Sequence, residues 1–345
     1  ARSISGPAVP TGDGSVTTTI LVGNALEKLS ESESESFQAV ITSPPYWGLR
    51  DYGTPPQGWP EVAYRPMPGL PEMVTPQWVG ELGQEPDPFA YVGHLVSVFR
   101  EVWRVLKPSG TVWLNIGDSY ASSWAVNRRN IVGEGSMEDG TRPNRPNRAV
   151  AGLKEKDLCG IPWRLALALQ ADGWTLRQDV IWEKPNPMPE SVQDRCTKAH
   201  EYLFLLTKAD KGYFYDHAAV KEPAVGAGRA AWNNSAVDLG QYGRVRAGLS
   251  RRAEVSETRN RRSVWRIPVS TFKEAHFATF PAALVEICLR ASTSPGDAVL
   301  DPFGGAGTVG LVAQTLGREA TLIELNPDYV EIANTRLRVT QGGLL

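Results

Sequence analysis

The stretch AVLDPFGGAGTVG, residues 298–310, carries the features that decide the fold. Three apolar residues and Asp301 predict a short buried strand, and the glycines that follow allow a tight turn. Residues 308–316 then have the apolar spacing of a helix. A helix that begins at such a turn presents free backbone N–H groups to a ligand. The stretch therefore predicts a strand, a glycine turn and a helix that together form a ligand site.

Two acidic residues indicate what ligand this turn would take. Asp301 ends the first strand, and Glu324 ends the next, where a carboxylate can accept both hydroxyls of a ribose. Residues 305–310 also match the dinucleotide pattern G-x-G-x-x-G. A nicotinamide enzyme normally opens with that unit, whereas here it closes the chain, and Asp301 would lie beside a pyrophosphate. An anion there favours a cationic or zwitterionic ligand, such as the amino acid end of S-adenosylmethionine. A glycine turn without a ligand is the alternative.

Outward from this stretch, strands and helices alternate along most of the chain. The predicted strands are residues 17–22, 37–42, 111–116, 176–182, 202–207, 298–301 and 320–324. The predicted helices are residues 25–29, 88–106, 162–171, 281–292, 308–316 and 327–339. This alternation predicts an α/β fold with a mainly parallel central sheet. Residues 51–88 are rich in Pro, Gly and Trp without a clear period, and are interpreted as a long excursion rather than a core element.

A second motif, Ser43-Pro44-Pro45-Tyr46, follows the predicted strand 37–42. Prolines cannot continue a ladder, so the chain leaves the sheet there, at the carboxyl edge where α/β proteins place their chemistry. The Pro44 carbonyl and the Ser43 hydroxyl are two acceptors beside an aromatic face. This group suits a flat ring that carries an exocyclic amine. An ordinary rigid turn is the alternative, and Trp47 either lines the same pocket or packs the excursion.

Composition excludes several classes of protein. The chain has 345 residues, 21% of them charged, a net charge of −2 and no apolar run of about 18 residues, so we expect no membrane span. The first residues lack the pattern of a signal peptide. Three scattered cysteines exclude a disulfide scaffold and argue against a zinc site. We therefore expect a cytoplasmic globular protein without a metal.

The two motifs together resemble those of the permuted, beta-class amino-methylating DNA methyltransferases, in which the catalytic motif precedes the cofactor motif. Residues 42–46 resemble the catalytic motif and residues 301–308 the cofactor motif, and the resemblance extends over most of the chain. Residues 107–110 and 182–189 are also similar to family segments. The resemblance implies a Rossmann-like methyltransferase fold, S-adenosylmethionine as cofactor and double-stranded DNA as partner. It leaves open a cognate restriction endonuclease that acts separately, and the oligomeric state.

The resemblance also implies roles for named residues. The catalytic set is Ser43, Pro44, Pro45 and Tyr46. The cofactor set is Asn24, Ala25, His276, Phe277, Thr279, Asp301, Phe303, Gly305, Gly307, Thr308 and Glu324. The family usually has Asp where this chain has Asn24. In this family Ser-Pro-Pro-Tyr usually accompanies methylation of cytosine N4, and Asp-Pro-Pro-Tyr that of adenine N6, which stays the alternative.

The sequence gives less support to other reactions. Methylation at carbon 5 needs a cysteine nucleophile, generally after proline, and none of the three cysteines follows proline. An RNA methyltransferase shares the fold, and a nicotinamide-binding oxidoreductase is the remote alternative. Because a base inside a duplex hides its amine, we expect the enzyme to flip the base out of the helix.

Two segments are interpreted as DNA-contacting. Residues 221–266 hold ten basic and four acidic residues, a net charge of +6, and are interpreted as a target-recognition segment. Their candidate DNA contacts are Arg251, Arg252, Arg261 and Arg262, because arginine serves both phosphates and guanine edges. Residues 121–150 are a second basic loop. Residues 1–220 and 267–345 then form the catalytic domain. A solvated loop is the alternative for both segments.

Overall fold

The computed structural model describes residues 16–49, 52–121, 152–224, 257–269 and 281–341. They form two compact units. The larger unit contains the described residues up to Tyr215 and from Ser263 onward, and the smaller contains those between Asp216 and Arg262. No helix in the described ranges is long and apolar enough to cross a lipid bilayer.

The larger unit is built on one sheet of eight strands with helices packed against it. Its sheet strands are β1 (Thr18–Val22), β2 (Phe37–Thr42), β7 (Leu106–Ile116), β8 (Thr175–Glu183), β9 (His200–Thr207), β12 (Val264–Arg266), β13 (Ala298–Asp301) and β14 (Glu319–Glu324). Its helices are α1 (Ala25–Ser30), α2 (Pro88–Val105), α3 (Ile161–Ala171), α4 (Ala282–Ser292), α5 (Thr308–Thr315) and α6 (Pro327–Gln341). The smaller unit contains the antiparallel pair β10 (Glu222–Pro223) and β11 (Thr258–Arg259).

The strand order of the sheet is β1-β14-β13-β2-β7-β9-β8-β12. All neighbours from β1 to β7 are parallel, β9 is antiparallel to both of its neighbours, and β12 is parallel to β8. The predicted α/β fold with a mainly parallel sheet is confirmed. Since β13 and β2 are adjacent and parallel, the residues that follow them meet at the same edge of the sheet.

Local sequence explains these elements. Every side chain of β2 is buried, as expected of a central parallel strand with both faces covered. Helix α2 begins after Asp87, whose carboxylate caps the backbone N–H groups of Phe89 and Ala90, and it has Pro88 in its first turn. Residues 90–99 of α2 are all buried, so this part of the helix is covered on every side, and its apolar side chains join the hydrophobic core.

The excursion differs from the prediction. It forms two nested antiparallel pairs, β3 (Gln57–Trp59) with β6 (Trp78–Gly80) and β4 (Val62–Tyr64) with β5 (Met73–Thr75). Trp59, Val62 and Tyr64 are buried in the core. The interpretation as a segment outside the core was therefore wrong. Strands of three residues are too short to show a period of two.

The start of one strand and the presence of another also differ from the prediction. Strand β7 begins at Leu106, because residues 107–110 continue the strand instead of separating it from α2. Strand β12 was not predicted, and the range 221–266 interpreted as the recognition segment includes it. Val264–Arg266 pairs with β8, and Trp265 is buried. The positive charge of this range hid a short strand with one buried side chain.

Candidate active site

The structure brings the two motifs together. Val40 pairs with Leu300, so β2 and β13 end side by side. At those ends the Thr42 hydroxyl donates a buried hydrogen bond to the Asp301 carboxylate, with 2.7 Å between Oγ1 and Oδ1. The Ser-Pro-Pro-Tyr segment, residues 43–46, is called the catalytic turn after its predicted role, and it begins next to the glycine turn, residues 302–307.

One cavity is lined by both turns. Of the predicted residues, its wall contains Ser43, Pro44, Pro45, Tyr46, Asn24, Ala25, Asp301, Phe303, Gly305, Thr308 and Glu324. Gly307 is not part of the wall. A Cβ at Gly307 would lie 2.9 Å from that of Ala333, and φ is +77°, so this glycine is required by the turn and by packing against α6. His276, Phe277 and Thr279 lie outside the described residues.

The glycine-turn side of the cavity is acidic. Asp301 is 5% exposed, and burial raises the pKa of its carboxyl to about 7, although the Thr42 hydroxyl and the Phe303 N–H donate to it. Burial also raises the pKa of Glu324. A ligand with a positive charge would compensate a buried carboxylate here, whereas a second anion would be repelled.

The backbone holds Glu324 in a fixed orientation. The N–H groups of Gly305 and Asn326 each donate to one of its carboxylate oxygens, both at 2.7 Å. Each oxygen retains a lone pair for another donor. A Cβ at Gly304 would lie 2.9 Å from that of Leu322, so the turn lies directly against β14. The side chains and turn fit a ligand that has a cationic end and a pair of hydroxyls.

Asn24 has a structural role as well as a place in the wall. Its side-chain oxygen accepts from the N–H of Leu26 at 2.8 Å and caps helix α1. Its amide nitrogen donates to Gln57 at 3.4 Å. Because Asn supplies the cap without a charge, this position adds no third carboxylate to the acidic side of the cavity.

The catalytic turn presents two oxygen acceptors. The Ser43 hydroxyl lies 3.3 Å from the Tyr46 hydroxyl and 3.5 Å from the side-chain oxygen of Asn115, and can donate to either. A serine whose proton points that way keeps its lone pairs for an incoming amine. No hydrogen bond to the Pro44 carbonyl occurs among the described residues. The turn can therefore accept two N–H protons from one amine.

Sequence reasoning missed three residues around Tyr46. The Tyr46 hydroxyl donates to Glu201 at 2.7 Å, and Glu201 also accepts from the Asn115 amide at 3.2 Å and from the Lys184 ammonium. All three residues line the cavity. Burial raises the pKa of Tyr46 well above 10, so the phenol stays neutral. The available signals were weak: a polar residue inside an apolar strand at Asn115, and charged residues at the ends of β8 and β9.

The backbone of the catalytic turn is clamped from behind. Gly48 donates to the Gly83 carbonyl at 2.7 Å, the indole of Trp47 donates to the Glu85 carbonyl at 3.0 Å, and the Tyr91 hydroxyl donates to the Pro45 carbonyl at 2.7 Å. A Cβ at Gly83 would lie 3.1 Å from the backbone oxygen of Tyr46. Trp47 is buried in the core, so it packs the excursion and does not line the cavity.

A fully buried Glu85–His94 pair supports this clamp. The Glu85 carboxylate accepts from the Gly83 N–H at 2.8 Å and lies 3.0 Å from Nδ1 of His94. The His94 ring is stacked between Trp59 and Trp78, with centroid distances of 5.2 and 5.5 Å. The pair thus joins helix α2 and the excursion strands to the backbone behind the catalytic turn.

The predicted DNA contacts fall only partly within the described residues. Arg251 and Arg252 lie outside them. Arg261 donates to the Val220 carbonyl at 2.9 Å, and Arg262 donates to Glu222 at 2.7 Å while 66% of its side chain is exposed. The 121–150 loop lies outside the described residues from position 122 onward. No group of three His, Cys, Asp or Glu that could hold a metal occurs in the described ranges.

Comparison with known proteins decides the family. The N6/N4 family model described as DNA methylase matches residues 37–335. The chain belongs to the DNA methylase family. This methylase is 45% identical to the Type II methyltransferase M.XycI of Xanthomonas campestris pv. cyanopsidis over 320 residues, which are 93% of this chain and 87% of that one. It is 43% identical, with the same two coverages, to the Type II methyltransferase M.Cfr9I of Citrobacter freundii.

Solved structures agree on the fold of the methylase. PvuII DNA methyltransferase, which is cytosine-N4-specific, aligns with a TM-score of 0.56 at 20% identity, over 93% of this chain and 86% of that one. A structure from Thermus thermophilus, described as a candidate DNA modification methylase complexed with S-adenosyl-L-methionine, gives 0.56 at 22% identity, over 95% and 96%. At these identities the likeness concerns the fold, and it confirms the Rossmann-like methyltransferase architecture predicted for the methylase.

Proposed function

We propose that this DNA methyltransferase transfers the methyl group of S-adenosylmethionine to the exocyclic N4 amine of a flipped-out cytosine in double-stranded DNA. The family establishes a DNA methyltransferase. The observation that carries the methyl transfer to an amine is the shared cavity, in which Ser43 and Pro44 lie beside the acidic glycine turn. Serine instead of aspartate at the head of the catalytic turn favours cytosine over adenine.

The cofactor is S-adenosylmethionine, which supplies an electrophilic methyl group on a sulfonium. We assign Asp301 to its ammonium end, because a buried carboxylate at the strand tip needs a cation. Glu324 is assigned to the ribose hydroxyls, since both of its oxygens are oriented by backbone N–H groups. Asn24, Ala25, Phe303, Gly305 and Thr308 complete this side of the cavity.

The catalytic turn receives the base. Ser43 and the Pro44 carbonyl accept the two amine protons, which draws the nitrogen lone pair out of conjugation and toward the methyl group. Tyr46 stacks on the ring, and its hydroxyl, bonded to Glu201, fixes the plane of the aromatic face. Holding the two reactants in line supplies most of the acceleration. Serine is a poor base, so the proton leaves after methyl transfer, with solvent as its final acceptor.

DNA contacts are assigned to the basic segments. Residues 221–266 with Arg251, Arg252, Arg261 and Arg262 act as the target-recognition segment, and residues 121–150 contact the backbone. Their supporting observation is charge, since the whole chain has a net charge of only −2 and a polyanion requires local positive surface. The relatives named Type II methyltransferases support a role in a restriction-modification system.

Product analysis tests the proposal. The purified protein is incubated with labelled S-adenosylmethionine and unmethylated duplex DNA, and the DNA is digested to nucleosides and analysed by mass. We expect N4-methyl-2′-deoxycytidine, with no product from Ser43→Ala. N6-methyl-2′-deoxyadenosine as the product would contradict the cytosine assignment. A preference for RNA in direct competition would contradict the DNA assignment.

A further inference from the structure

Lys184 is the only lysine or arginine among the described residues that line the cavity. It follows β8 directly, and its side chain is 17% exposed. The ammonium donates to Glu201 and lies 4.4 Å from the ring centroid of Trp182. Glu201 in turn accepts from the Tyr46 hydroxyl. Lys184 is therefore connected to the catalytic turn through a single carboxylate.

The simplest role of Lys184 is to neutralise the charge of Glu201, but this role does not use all the N–H donors of the ammonium group. An ammonium has three N–H donors and cannot accept. Its only hydrogen-bond partner within the described part of the chain is Glu201, which already accepts from Tyr46 and Asn115. The remaining donors of Lys184 can therefore reach acceptors of a ligand in the cavity. The cation–π contact with Trp182 restricts the position of the ammonium group.

The edge of cytosine fits these donors. When the N4 amine is bound by Ser43 and Pro44, the next atoms along the same edge, N3 and O2, are both acceptors. Adenine bound by its N6 amine presents the N1 acceptor there, followed by a C–H group. We propose that Lys184 donates hydrogen bonds to the N3 and O2 acceptors of the flipped cytosine, of which only the O2 bond has no counterpart in adenine. This inference rests on the proposed function.

The test compares variants of Lys184 and Glu201 on two substrates that differ in the target base. Lys184→Met keeps the length of the stem but removes the donors, and combining it with Glu201→Gln also removes the partner carboxylate, so no unpaired charge remains. Glu201→Gln alone breaks the same ion pair but keeps the lysine. The substrate is a duplex that carries the site mapped by sequencing methylated DNA, with either cytosine or 3-deazacytosine, which lacks the N3 acceptor, at the target position.

For the protein with Lys184 we expect 3-deazacytosine to slow methylation about 5- to 150-fold, the range of a good base contact. Glu201→Gln should keep that penalty, and Lys184→Met/Glu201→Gln should lose it, because the donor is gone. Lys184→Arg should show the 3-deazacytosine penalty again, because a guanidinium also donates hydrogen bonds. DNA affinity without cofactor, measured with the target base opposite an abasic position, should follow the same pattern. Thermal unfolding verifies that each variant is folded.

The outcomes separate two kinds of failure. An equal 3-deazacytosine penalty in the protein with Lys184 and in the double variant would overturn the inference, since N3 would then be contacted elsewhere. If the double variant does not fold, Lys184→Met alone decides the same question, because Glu201 keeps Tyr46 and Asn115 as donors. An unmethylated cytosine with methylated adenine nearby would instead overturn the proposed function.

Discussion

The hydroxyl of Thr42 and the carboxylate of Asp301 are 259 positions apart in sequence and 2.7 Å apart in space. The bond joins the last residue of β2 to the last residue of β13, one step before the catalytic turn and one step before the glycine turn. It is buried, and it lowers the pKa of Asp301 against the opposing effect of burial. One hydrogen bond thus couples the geometry of both turns to the charge of the proposed cofactor site.

Cofactor affinity should depend on pH through Asp301. Burial raises the pKa of its carboxyl to about 7. In the ligand-free protein the Asp301 carboxyl is therefore protonated at lower pH and ionised at higher pH. Since the anion binds the ammonium end of the cofactor, affinity should fall by up to about tenfold per pH unit below pH 7. Calorimetric titration of S-adenosylmethionine between pH 5.5 and 8 measures this dependence.

Two variants control that experiment. Asp301→Asn should bind weakly and with little change over the same pH range, whereas Thr42→Val should move the transition to higher pH, because it removes a hydrogen bond to the anion. Folded Asp301→Asn with unchanged affinity would show that another group holds the cofactor.

Replacing Tyr46 by Ala should impair methyl transfer and spare cofactor binding. Stacking of a base on an aromatic side chain is worth about 1–3 kcal/mol, which corresponds to a loss of about 5- to 150-fold. Tyr46→Phe keeps the ring but loses the hydrogen bond to Glu201, and should lie between Ala and the parent protein. Single-turnover rates and cofactor affinities give both quantities. Loss of cofactor affinity with normal turnover would reverse the assignment.

Glu85→Ala should destabilise the protein and slow methylation, although Glu85 does not line the cavity. The change leaves the Gly83 N–H and the His94 ring without their acceptor, at a cost of about 1–3 kcal/mol per buried group. Glu85→Gln, which keeps an oxygen acceptor, should cost less. Urea unfolding and the methylation rate at saturating cofactor are the measurements. An Ala variant as stable as the parent would contradict the proposed support of the clamp.

Neutralising Arg251, Arg252, Arg261 and Arg262 together should weaken DNA binding and spare cofactor binding. Each lost phosphate contact should flatten the dependence of log affinity on log salt by about 0.9. DNA affinity over a salt series measures the effect, with cofactor affinity as the control for folding.

The described arginines require a matched control in that experiment. Arg262 binds Glu222 inside the smaller unit, so its loss would also weaken local structure. Arg251→Gln/Arg252→Gln alone should therefore flatten the salt slope by about half as much. Parallel salt slopes for all variants would place the recognition surface elsewhere, with residues 121–150 as the next candidate.

The parts of the site predictable from sequence are those written in consecutive residues. The Ser43–Tyr46 segment and the glycine turn each follow a strongly apolar strand, so their place at the carboxyl edge followed from the pattern alone. Their contact through Thr42 and Asp301 could not be predicted from the sequence, because strand order depends on tertiary packing. Two strands separated by more than 250 residues carry no local signal that they are neighbours.

The rest of the site depends on residues whose meaning is set by their partners. Asn115 reads as an ordinary strand residue until its amide is found between Glu201 and the Tyr202 carbonyl. Glu85 lies in the excursion, which has no period, whereas its partner His94 lies in helix α2. The rings that stack on His94, those of Trp59 and Trp78, come from strands of three residues. The charged residues and the short strands therefore gave no signal of the side chains that support the catalytic turn.

We propose that the cavity lined by Ser43 and Asp301 methylates cytosine N4 in DNA. Single-molecule sequencing of the genomic DNA of a host that expresses the gene, beside that of a host that expresses Ser43→Ala, measures this methylation. We predict N4-methylcytosine at one short recurring sequence in the first host, and its absence in the second. Methylation of adenine N6, or the same cytosine methylation in both hosts, would contradict the proposed reaction.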